Sequence, residues 1–171
     1  MRKLSIIILV ILIPILIYAI LPWLVLFVGY CIGETPNKPK IKYEEFPFEL
    51  VYEMKNEEYT IKDTLVCQYD GIGISENSGK VRKWKSFLKS GKQNVVLLSY
   101  DNVTIYYDIG PAKYYMGDYN NHTFSPNIIC ETKYQDGTKS QQFIFDNELS
   151  NKYGIIIKSW SIRSPIQNSF Q

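Results

Sequence analysis

Histidine is all but missing from this chain: His122 stands alone among 171 residues, which excludes every catalytic or metal motif that needs two. Cysteine occurs three times, too rarely for a small fold held by disulfides. Alanine is confined to Ala19 and Ala112, and three arginines stand against 16 lysines, a bias that A/T-rich codons produce. Excess charge is lacking as well. With 19 Lys plus Arg against 17 Asp plus Glu, neither an acidic solvating tail nor a globally basic binder of nucleic acid is expected. There is no internal repeat, no low-complexity tract and no alternation of strand and helix patterns, which argues against a doubly wound nucleotide fold. What is present is apolar: 46% hydrophobic and 15% aromatic residues, too much for disorder and enough for one domain of ordinary size.

Leu4 to Ile32 form an uncharged apolar run of 29 positions, interrupted only by the Ser5 hydroxyl. A spanning helix needs about 20 such residues, so residues 1–33 read as a transmembrane anchor in contact with the lipid bilayer. At about 1.5 Å per residue the run exceeds a hydrocarbon core of about 30 Å, so it tilts or kinks, with Pro14 and Pro22 as the kink points. The run is about twice the length of a cleaved signal's apolar region, and no small-residue cleavage site follows it, so an uncleaved signal anchor is expected. Cys31 raises a lipoprotein alternative, but Tyr30 stands where a lipid-modification motif takes a small residue. Arg2 and Lys3 on one side of the run nearly balance Lys38, Lys40 and Lys42 on the other, so length decides, and the short amino terminus is expected to stay in the cytoplasm. A long domain crosses regardless of charge, so the rest of the chain is expected to be extracytoplasmic.

Residues 34–42, beginning with Glu34-Thr35-Pro36-Asn37, read as a short stalk. Residues 43–165 read as a β-rich globular domain and 166–171 as a tail. The dominant period is two: Phe48, Leu50, Tyr52 and Met54 alternate with polar neighbours, and Leu65, Cys67 and Tyr69 share a face. Turns are expected at Lys55-Asn56-Glu57-Glu58, at Asp101-Asn102 and at Asp136-Gly137, the strongest hairpin signal. Ile155 to Ile162 is a further strand. Asp146 is expected to cap a short helix through Tyr153, stopped by Gly154, and Trp84, Phe87 and Leu88 have the spacing of another. The expected fold is an N-terminal transmembrane helix followed by a mainly-β antiparallel domain, a sandwich or partly closed barrel, with one or two short helices.

Charge is unevenly laid along the domain: 43–76 carries nine acids and 80–92 six cations. The second stretch interleaves Arg82, Lys83, Lys85 and Lys89 with Trp84 and Phe87. Ammonium and guanidinium groups among aromatic rings suit a polyanion, here an anionic envelope polymer or lipid headgroups. The same pattern arises when the rings point into a core and the cations are solvated, or when the cations match the acidic half of the same domain. Asp70 to Lys80 resembles a phosphate loop but has five residues between Gly73 and Gly79, with Val81 after Lys80. It fails the motif and reads as a mobile loop. Asp70, Glu76 and Asn77 lack the calcium-loop pattern. Cys67 and Cys130 fall in strands. A disulfide between them, stabilising by about 4 kcal/mol, and a pair of buried thiols are both open. His122 beside Asp118 has no nucleophile context, so no catalytic residue, metal or cofactor is assigned. Tyr106, Tyr107, Tyr114, Tyr115 and Tyr119 suit either a groove or ordinary strands.

The stretch Asp63-Thr64-Leu65-Val66-Cys67-Gln68-Tyr69-Asp70-Gly71, continuing into Gly79-Lys80-Val81-Arg82-Lys83-Trp84-Lys85, resembles a group of small single-pass membrane proteins of low-GC Gram-positive bacteria. That resemblance implies the topology above and no activity. The functional expectation is a membrane-anchored, non-enzymatic binding module. The alternatives are a structural, assembly or immunity-type partner of another membrane protein and, third, a small hydrolytic enzyme.

Overall fold

A computed structural model describes residues 2–75, 79–119 and 124–171, with the side chains of 2–11, 26 and 29–32 left out. Two compact units emerge, Met1–Asn37 with Gly71–Arg82, and Lys38–Asp70 with Lys83–Gln171.

In the first unit, α1 (Arg2–Ile32) is a helix of 31 residues with Pro14 and Pro22 inside it. Its side chains are described without a break only from Leu12 to Val25, and every one of these is exposed. Among the described residues no helix is long and apolar enough to cross a membrane. The same unit holds Gly71–Arg82, in which Lys80 donates to Thr35 Oγ1 at 3.2 Å and Arg82 to the Asn37 carbonyl at 3.1 Å.

The strands form two four-stranded antiparallel sheets, whose residues belong to the second unit except for Gly71–Ser75 and Gly79–Arg82. β1 (Tyr43–Met54), β2 (Glu57–Ser75), β3 (Gly79–Leu88) and β8 (Ile155–Ile162) form one in the order β3-β2-β1-β8. β4 (Val95–Tyr100), β5 (Val103–Asp108), β6 (Asn127–Lys133) and β7 (Lys139–Ile144) form the other in chain order. Alternation decides which side chains meet between the sheets. Phe46, Phe48, Leu50 and Tyr52 of β1 join Leu65 and Cys67 of β2, Ile105 and Tyr107 of β5, and Ile128 and Cys130 of β6 in one core. The cross-strand pair Tyr52 and Tyr59 stacks at 5.4 Å. The mainly-β antiparallel expectation is met.

The turns follow from residue chemistry. Lys55 and Asn56 both have positive φ, 55° and 64°, so the turn closes on two residues and Glu57 already belongs to β2. Two consecutive positive φ values make the primed turn that matches strand twist. Asp101 (φ 52°) and Gly137 (φ 84°) turn the other two predicted hairpins. Helix α3 (Asp146–Tyr153) ends on Gly154 at φ 65°, the left-handed cap that glycine takes without strain. Its N-cap is Phe145, without a side-chain cap bond, and not the expected Asp146, which lies in the first turn, where the helix dipole favours a carboxylate.

Two local expectations are corrected. The segment with helical spacing at Trp84, Phe87 and Leu88 is strand β3, since one turn's worth of spacing does not offset the cost of nucleating a helix beside a strand ready to pair. The expected loop from Asp70 to Lys80 is strand up to Ser75 and again from Gly79. Ile72 and Ile74 continue the period of two, and Gly71 takes φ 91°, which glycine adopts without strain.

Residues 38–41 and 168–171 are zipped together. Lys38 N–H donates to the Gln171 carbonyl at 2.9 Å and receives the reciprocal bond at 3.0 Å, and Lys40 N–H donates to Ser169 at 2.8 Å. The Asn168 side chain grips Ile41 at both its N–H (3.0 Å) and its carbonyl (2.8 Å). The end of the stretch read as stalk and the stretch read as tail thus form one paired strap.

Candidate functional site

β3 is an edge strand, and its alternation sorts the predicted binding residues. Lys83, Lys85, Phe87 and Lys89 occupy every second position and are all exposed, Phe87 at 51%. Trp84 and Leu88 take the other parity and pack on the core. Arg82 belongs to the other compact unit.

The lysines meet carboxylates of the acidic half. Asp70 receives Lys85 Nζ at 2.7 Å and Lys83 Nζ at 3.9 Å, and Glu45 Oε2 receives Lys89 Nζ at 2.8 Å. Lys89, and next the Tyr43 hydroxyl, hold the Glu45 carboxyl below its usual range by hydrogen bonding. The same pairing raises Lys89. These groups lie at the surface, where pairs are weak and salt-screened. The matching of basic and acidic halves is therefore real, with two carboxylates shared among three ammonium groups. Lysines on an edge strand also discourage sheet-to-sheet pairing.

Trp84 does something else. Its Nε1–H donates to Asp118 Oδ2 at 2.8 Å, and its ring meets Tyr69 edge-on at 5.4 Å. Asp118 is the buried charged residue among those described, at 7% exposure. The Tyr69 hydroxyl is buried without a hydrogen-bond partner in the described structure. Asp118 is delivered by the turn after α2 (Ala112–Tyr115). There Gly117 holds φ 67°, and a Cβ would meet the Ile166 carbonyl at 2.4 Å. Nothing in local spacing linked Trp84 to Asp118, 34 residues apart. A lone acid after a Tyr-Met-Gly run was the one available signal.

The remaining predicted residues scatter. Cys67 and Cys130 are free and buried, one in each sheet. Burial pushes the Cys67 thiol up to about 12, while Cys130 Sγ lies 3.6 Å from the Tyr153 hydroxyl. The disulfide is not formed. Tyr107 and Tyr115 are core residues, so a five-tyrosine groove does not exist. Tyr114 instead meets Tyr115, Tyr119 and Phe124 in a local aromatic cluster. His122, Glu76 and Asn77 lie outside the described residues.

Beside the end of β3 lies a cleft of about 180 Å³, reaching from Ser86 and Phe87 to the end of β5. Sequence spacing carried no sign of it, because its walls come from four strands and the connection between β3 and β4.

No family model, curated protein or solved structure matches this chain.

Proposed function

We propose that the chain is a membrane-tethered, non-enzymatic binding module whose β3 edge recognises an anionic polymer of the cell envelope. The observation that carries this reading is the ladder Lys83, Lys85, Phe87, Lys89 on one exposed face, with three ammonium groups over two carboxylates. Each ion pair is exposed and exchangeable, so a polymer phosphate competes for the lysines while Phe87 adds apolar contact. The tether is supported by the uncharged composition of Leu4 to Ile32 and by the 31-residue length of α1. Large apolar side chains left in the open, such as Trp23 at 74% and Phe27 at 67% exposure, are stable in lipid and costly in water. Arg2 and Lys3 then stay cytoplasmic and the two-sheet domain faces outward.

The test uses the full chain in phosphatidylcholine nanodiscs, with poly(glycerol phosphate) as probe. Replacing Lys83, Lys85 and Lys89 together by Gln weakens binding about tenfold at low salt while circular dichroism stays unchanged. Equal binding by the triple variant, or none by the parent chain, overturns the reading.

A second reading, an assembly partner of another membrane protein, is favoured by one observation. Val96, Tyr106, Ile129 and Phe143 pair in register across all four strands of the second sheet. Within this apolar row Tyr106 is buried at 8% exposure, while Val96 at one end and Phe143 at the other are exposed, Phe143 at 67%.

A further inference from the structure

The cleft beside β3 has an apolar floor and a polar rim. Leu65, Leu88 and Ile109, each under 8% exposed, close the bottom. Around the mouth stand Ser86, Gln93, Asn94 and Asp108, with the half-exposed Phe87 ring at one side. The side chains of Ser86, Gln93 and Asn94 hydrogen-bond to no other described residue. Asp108 is held in place because its Oδ1 accepts the Gly110 N–H at 3.0 Å. Gly110 in turn sits at φ 94°, where a Cβ would strike the Phe124 ring at 2.4 Å. Among the described residues no cation pairs with Asp108. Its second oxygen is thus an acceptor with no partner among the described residues.

We infer that this cleft binds one uncharged, hydroxyl-rich ring, a ligand of monosaccharide class. Two amide side chains, a hydroxyl and a carboxylate supply both donors and acceptors, which is what a ring carrying several hydroxyls requires. The Phe87 ring offers the apolar plane against which the C–H face of such a ring packs. The unpaired Asp108 carboxylate turns away an anion, and a single carboxylate falls short of the ligand set that a divalent cation needs. About 180 Å³ is below the range of about 300 Å³ upward for drug-sized ligands, so one ring fills it. The inference goes beyond the polyanion reading and does not depend on it, since it uses none of Lys83, Lys85 or Lys89.

Saturation-transfer NMR on the full chain in phosphatidylcholine nanodiscs provides the test, with glucose and N-acetylglucosamine as probes and glucose 6-phosphate as the charged comparator. At least one neutral sugar binds with a dissociation constant on the order of 1 mM, and the phosphate binds more weakly. The double variant Gln93→Ala/Asn94→Ala, both on an exposed connection, loses about fivefold or more in affinity with its fold unchanged. Asp108→Asn keeps the acceptor for Gly110 and narrows the gap between glucose and its phosphate. Absence of binding by both sugars at about ten times that concentration overturns the inference. So does preference for the phosphate by the parent chain, or indifference of the neutral sugars to the double variant.

Discussion

Trp84 carries more of the structure than its place in a basic segment suggests. Its indole N–H donates to a buried carboxylate, and removing that donor costs the carboxylate one of its hydrogen bonds. Trp84→Phe should therefore destabilise the fold by about 1–3 kcal/mol in urea unfolding. Asp118→Asn, which retains an amide oxygen for the indole, should cost less; the reverse order would mean that Asp118 is stabilised chiefly by other groups. Cys67 gives a second residue-scale expectation. Its thiol is raised from an ordinary 9.0 to about 12 by burial. Because the folded value lies above the unfolded one, its contribution to stability is complete below pH 9 and lost between there and about 12. At pH 8 Cys67 should resist iodoacetamide in the folded chain and react on denaturation, without any reductant. Rapid labelling of folded Cys67, or a requirement for reductant, would contradict the buried free thiol.

At the scale of elements, what could be read from sequence was what alternation and turn chemistry encode locally. Phe48, Leu50, Tyr52 and Met54, the Asp136-Gly137 hairpin, and α3 with its Gly154 stop needed no partner to be legible. β3 was ambiguous because Trp84 and Leu88 fit both a helix turn and alternate strand positions, and its pairing with β2 decided between them. The cleft rim, the Trp84–Asp118 bond and the terminal strap were invisible for one physical reason: each joins residues far apart in sequence. The strap offers its own test. Asn168→Ala removes both side-chain bonds to Ile41, so the Ile41 amide should exchange with solvent at least about tenfold faster, while amides of β5 and β6 keep their protection. Unchanged exchange at Ile41 would show that the backbone pairing of 38–40 with 169–171 suffices without the side chain.

For the molecule as a whole, the carboxylates of the acidic stretch are met by lysines from several strands. Glu45, Glu49 and Glu53 of β1 are each paired by a lysine, from after β3, from β2 and from β8 respectively. The even count of 17 cations and 17 anions beyond residue 33 thus hides an organised surface, on which the β3 edge sets three lysines against two carboxylates. The central proposal is that this edge binds a polyanion, and its most direct test is the ionic-strength dependence of poly(glycerol phosphate) binding to the full chain in phosphatidylcholine nanodiscs. The account predicts that affinity falls steeply with salt, and that the slope of log affinity against log salt is shallower in the triple Gln variant of Lys83, Lys85 and Lys89. Equal slopes for the two proteins, or binding indifferent to salt, would contradict it.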